Sequence, residues 1–69
     1  MEFELKQGSD YIELIKLLKA VNVAESGAQA KQMVEQGRVS VDGHTEYRKR
    51  AKIGRGSTVV IFDINILTK

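Results

Sequence analysis

The chain has 69 residues, with 11 Lys/Arg against 9 Asp/Glu, one histidine, no cysteine and no proline. This length allows a single domain, 1–69, whose core leaves a stability margin of a few kcal/mol and no space for a large catalytic cleft. Disulfides, thiolate metal sites and multi-histidine centres are excluded, and no stretch approaches the ~20 apolar residues of a membrane span.

Taken in order, Met1 to Lys6 alternates, with Phe3 and Leu5 on one side and Glu2, Glu4 and Lys6 on the other. That predicts a short half-buried strand. The segment MEFELKQGSD is acidic and lacks a long apolar run, so it does not read as a signal peptide. Together with the lack of cysteine this fits a cytoplasmic location. Gln7-Gly8-Ser9 is a turn cluster. Leu14, Leu17, Leu18 and Val21 then fall at i, i+3, i+4 and i+7, one apolar stripe of a helix widened by Tyr11 and Ile15. The start of this helix has two readings. Asp10 with Glu13 makes a capping box, while a later start near Leu14 leaves Tyr11-Ile12 extended. Asn22, which tolerates the left-handed conformation, stands where the helix should stop.

Ser26 and Gln29 form a second capping box, in which the Ser26 hydroxyl accepts the Gln29 N–H and the Gln29 side chain reaches back to the Ser26 N–H. The helix expected from about Gly27 to Gln36 uses Ala28, Ala30, Lys31, Gln32, Met33 and Glu35, which suit a helix by propensity. Gly37 ends it. Ala30 and Val34 share a face, Met33 is an adaptable filler, and the small alanines allow close approach to the first helix. Two helices this short need a sheet behind them.

Val39 and Val41 alternate with Arg38, Ser40 and Asp42 in a strand, and Asp42-Gly43 is a hairpin turn. Beyond it come Arg48, Lys49, Arg50 and Lys52. On a return strand, Arg48, Arg50 and Lys52 would share one face, with Lys49 pointing elsewhere. Ile53 reads as a buried anchor. Gly54-Arg55-Gly56-Ser57 is a loop, and without a following Lys-Thr and helix it is not a phosphate loop. Thr58 to Phe62 is the most strand-like run, Asp63 interrupts it, and Ile64, Ile66 and Thr68 define a last strand. The first and last strands can pair to close the sheet edge.

Charge is unevenly placed. Residues 1–37 carry four Lys/Arg and six Asp/Glu, a net −2, while residues 38–56 carry six and two, a net +4. A basic segment within a nearly neutral chain points toward nucleic acid. The second helix adds free N–H groups and the positive end of its dipole. Ser26 and Gln29 also have a purely structural reading as caps, and Lys31 one as a solvated helix residue. His44, Asp42 and Asp63 read as turn residues. No Ser-His-acid, paired-carboxylate or metal-ligand spacing is present, so no enzyme activity, cofactor, metal or small-molecule substrate is expected.

The ordered series SGAQAK, EQG-V-VDG and E-RKR-KI resembles the alpha-L RNA-binding motif, the domain named after ribosomal small-subunit protein four, and within it a subgroup of very short bacterial proteins. The resemblance runs from about Leu14 to Val60. Gly27 departs from it, because many members carry an arginine there, which removes one commonly basic contact from the expectation. The resemblance implies the later start of the first helix. It also implies an RNA surface built from the second helix and the hairpin, which by position points to Ser26, Gln29, Lys31, Arg38, Arg48, Lys49, Arg50 and Lys52. The expected fold is α+β, two short packed helices against a small, mainly antiparallel sheet of four to five strands. With no aromatic-rich sheet face for stacking single-stranded bases, the expected partner is structured or double-stranded RNA, ribosomal or tRNA-like. The resemblance further implies a role in translation, ribosome biogenesis or RNA modification, beside the ribosome or a modifying enzyme. Oligomeric state is open, and a monomer needs no extra assumption. The alternative is an accessory module that docks its basic hairpin on an acidic protein.

Overall fold

The computed structural model describes all residues, 1–69. Two helices, α1 (Leu14–Ala20) and α2 (Gly27–Glu35), cover one face of a five-stranded sheet. The strands are β1 (Glu2–Phe3), β2 (Tyr11–Glu13), β3 (Val39–Val41), β4 (His44–Thr45), β5 (Lys52–Gly54), β6 (Thr58–Ile61) and β7 (Ile64–Thr68). The main sheet has the order β1-β7-β6-β3-β4, and β2 pairs with β5 in a separate two-stranded sheet. Every pair is antiparallel except β1 with β7, which is parallel, so the first and last strands do close the edge.

The helices begin and end for identifiable reasons. α1 takes the later start, at Leu14, with Tyr11–Glu13 extended in β2. Asp10 does not cap it. Both helices finish in the same way. Asn22, at φ 62°, and Gly37, at φ 74°, adopt the left-handed conformation one residue past the helix cap. Behind α1, the Val23 N–H donates to the Leu18 carbonyl at 3.0 Å and the Asn22 N–H to that of Lys19 at 3.0 Å. Behind α2, the Arg38 N–H reaches Met33 at 3.2 Å and the Gly37 N–H reaches Val34 at 3.1 Å. These paired bonds are Schellman motifs, which satisfy the last carbonyls of each helix.

The core lies between the helices and the inner face of the sheet. Leu14, Leu17, Leu18, Ala30, Val34, Val39, Ile53, Val59, Ile61 and Ile66 are all fully or almost fully buried. Burying each of the larger ones contributes about 1.5–3 kcal/mol, which is what holds two otherwise marginal helices in place. Ala30 is the small residue that lets α2 approach, whereas Ala28 is exposed and takes no part. The register Val59↔Ile66 and Val39↔Ile61 puts these side chains on one face, as period-two alternation requires.

The structure changes three local expectations. First, there is no continuous cationic return strand. β4 stops at Thr45, residues 46–51 are irregular, and Lys52 belongs to β5 in the other sheet. Arg48, Arg50 and Lys52 therefore share no strand face. The reason is backbone demand elsewhere: the Leu14 N–H donates to the Ala51 carbonyl at 2.9 Å and the Ile15 N–H to that of Lys49 at 3.1 Å. Secondly, the Gln29 side chain caps the Glu25 N–H rather than that of Ser26. Thirdly, Phe62 is not in the strand. It sits at φ 55° in the β6–β7 turn with its ring exposed.

Candidate nucleic-acid interface

The predicted residues lie in two groups, at opposite ends of α2. At its start, Ser26 is extended and its hydroxyl accepts the Gln29 N–H at 3.1 Å. The Ser26, Gly27 and Ala28 N–H groups donate to no protein acceptor. Free donors at the positive end of a nine-residue helix suit an anion. Nothing stands within 4 Å of where a Cβ would project from Gly27, so the approach is open. Lys31, exposed and without an acidic partner, lies one turn further on.

The second group lies past the other end of α2, some 15 Å away at a rise of 1.5 Å per residue. Here Arg38 follows the Schellman glycine, and its Nε donates to Gln36 Oε1 at 2.7 Å. The loop of residues 46–51 runs alongside. Its first contact is the Glu46 N–H with the Val39 carbonyl at 2.9 Å. Its far end is held by the two bonds from α1 described above. That loop carries Arg48, Lys49 and Arg50, and β5 begins at once with Lys52. Opposite Lys52 on β2 stands Glu13, and the Lys52 Nζ sits 5.0 Å from the centroid of the Tyr11 ring. This cation–π contact is local support for a side chain that is otherwise free.

The cations differ in how far they are already engaged. Arg48 is held by Glu46: its Nε donates to Oε2 at 3.1 Å and its Nη2 to Oε1 at 3.2 Å, while the Arg48 backbone N–H also bonds Oε2 at 3.0 Å. These hydrogen bonds hold the Glu46 carboxyl below the usual carboxylate range and push the Arg48 guanidinium up. Arg48 is exposed to solvent while Glu46 is half-buried, so the pair's net effect on stability is modest and its chief effect is orientation. With the Arg48 side chain 80% exposed, the remaining N–H donors of the guanidinium still face water. Lys49, Arg50 and Lys52 have no acidic partner.

Glu46 was the residue that the sequence left without a role. Its spacing of two from Arg48 was the available signal, since an irregular loop can fold such a pair together. Arg55, also unpaired, lies in the β5–β6 loop beside Glu4, Leu5, Gln7 and Lys69. No group of three or more His, Cys, Asp or Glu residues is placed to hold a metal ion. No helix is long and apolar enough to cross a membrane.

Two short helices ending in left-handed residues, a hairpin behind them and a basic loop folded onto the first helix define an alpha-L motif. A family model described as the S4 domain matches residues 3–68, and the chain belongs to that family. YbcJ of Escherichia coli (strain K12) is 53% identical over 49 residues, which cover 71% of this chain and 70% of YbcJ. The solution structure of YbcJ, described as revealing an alpha-L motif involved in RNA binding, superposes with a TM-score of 0.74 at 42% identity. That superposition covers 97% of this chain and 84% of YbcJ. The ribosomal protein S4e of Thermoplasma acidophilum shares the fold, with a TM-score of 0.68 at 19% identity over 83% of this chain and 30% of S4e.

Proposed function

We propose that this protein binds structured or double-stranded RNA without catalysing a reaction on it. Phosphates are taken at two places: the free N–H groups around Ser26 and Gly27 with Lys31 beside them, and the cations Arg38, Arg48, Lys49, Arg50 and Lys52. Gln29 serves this surface by fixing the turn before the helix. The observation that carries the reading is the loop of residues 46–51, whose Lys49 and Ala51 carbonyls bond α1 and whose Lys49 and Arg50 side chains have no acidic partner. The description of YbcJ supports RNA as the ligand.

Ribosomal RNA or a tRNA-like fold is the RNA class that this surface suits, in translation, ribosome biogenesis or RNA modification in the cytoplasm. The ribosome or an RNA-modifying enzyme would then be its neighbour. The test is a salt series of binding to an RNA hairpin, a single strand and duplex DNA. Preference for the hairpin with a log–log slope on the order of −3 to −4 supports phosphate recognition at this surface. Weak, equal binding to all three would overturn it and favour docking of the basic loop on an acidic protein.

A further inference from the structure

Tyr47 is the aromatic residue of the basic loop, and it is 64% exposed. The hydroxyl end of its ring sits against Gly37: a Cβ placed there would stand 3.1 Å from Cε1 and 3.2 Å from Oη. Gly37 is favoured by its positive φ, and a Cβ there would press on the end of the Tyr47 side chain. The end of the ring is thus seated against α2's terminal glycine, and most of the residue faces solvent. Its hydroxyl makes no hydrogen bond within the protein, and no cation covers the ring.

The other exposed aromatics lack this setting. The Tyr11 ring is occupied by Lys52, and Phe62 sits in the β6–β7 turn, where the only nearby charge in sequence is Asp63. Beside Tyr47, by contrast, two arginines are already oriented: Arg38 by Gln36 and Arg48 by Glu46. Each keeps several N–H donors for a phosphate. A flat, supported ring flanked by phosphate ligands is what stacking of one nucleotide requires.

We propose that Tyr47 is a stacking platform for a single unpaired base next to a helical segment of the bound RNA. The inference rests on the RNA-binding reading and narrows it: the preferred ligand is a duplex interrupted by a bulge or ending in an overhang, not an uninterrupted one. Because any base presents a π face, the preference is for an unpaired position, not for a sequence.

The experiment compares an RNA hairpin with a fully paired stem, closed by a compact tetraloop that splays out no base, with the same hairpin carrying one bulged 2-aminopurine in its stem, using the wild type, Tyr47→Phe and Tyr47→Ala. The wild type is expected to bind the bulged hairpin about tenfold more tightly, from the usual strength of one base–aromatic stack. Tyr47→Phe keeps that preference and Tyr47→Ala loses it. Quenching of 2-aminopurine fluorescence on binding of the wild type reports the stack without any variant. Equal affinity of the wild type for both hairpins, or an unquenched probe, overturns the inference and leaves RNA binding standing. Failure of the wild type to bind either hairpin overturns the underlying reading as well.

Discussion

At the N-terminus of α1 the first N–H groups are consumed by the carbonyls of Ala51 and Lys49, and no side chain caps the helix. At the N-terminus of α2 a serine side chain takes one N–H and three others stay open. Helices of similar length in the same small domain thus use identical backbone chemistry for different ends. α1 uses its donors to hold a loop of the protein, and the loop delivers cations to the surface. α2 keeps its donors for something that is not protein. Unsatisfied groups at a helix end gain meaning from what is brought to them.

This contrast can be broken from either side. Reversing charge on the loop side, with Arg48→Glu and Arg50→Glu together, is expected to lower RNA affinity on the order of a hundredfold or more and to flatten the salt slope. The melting temperature should hold, because both side chains are exposed. Unchanged affinity would mean that the loop serves only to tie down α1. Amide exchange by NMR reads the difference directly: the Leu14 and Ile15 amides should exchange on the order of a hundredfold more slowly than those of Gly27 and Ala28. Similar rates at both ends would dissolve the distinction. The smallest effect concerns the cap. Ser26→Ala should cost about 1 kcal/mol in thermal or denaturant unfolding. Ser26→Asp should retain that stability while placing a carboxylate where a phosphate would approach, so its RNA affinity should fall several-fold.

Local signals were legible wherever the cause is local. Ser26 caps α2, Asn22 and Gly37 end the helices, and Asp42 and Gly43, at φ 51° and 87°, make the hairpin turn. The alternation of Ile64, Ile66 and Thr68 set the inner face of β7. The start of α1 was different, because periodicity alone also allowed Asp10 to begin it. The extended alternative holds because Ile12 and Glu13 pair with Ile53 and Lys52, some forty residues away.

The basic segment was misread for a related reason. Residues 44–48 read as less regular, but nothing between Glu46 and Ala51 says that two carbonyls are committed to α1, so a shared face on a return strand remains an available reading for Arg48, Arg50 and Lys52. Its cations were legible as a group and their geometry was not. The seating of Tyr47 against Gly37 is hidden in the same way, since a glycine that ends a helix gives no sign that the end of an aromatic side chain rests against it. Phe62 shows the reverse failure: a strong strand former at the end of a strand-like run was overridden by the turn that β6 and β7 need.

The parallel pairing of β1 with β7 has a mechanical consequence. The Met1 carbonyl accepts the Leu67 N–H, the Phe3 carbonyl accepts the Lys69 N–H, and the Leu5 N–H returns to the Lys69 carbonyl, each at 2.9 Å. Load applied through Met1 and Lys69 pulls the two strands past each other along their length. These three bonds then bear the force together, and none can peel away first as in a hairpin opened from its ends. The hydrophobic layer beneath is shielded from tension until that clamp slips. A domain tethered by both ends would resist stretching more than its size suggests.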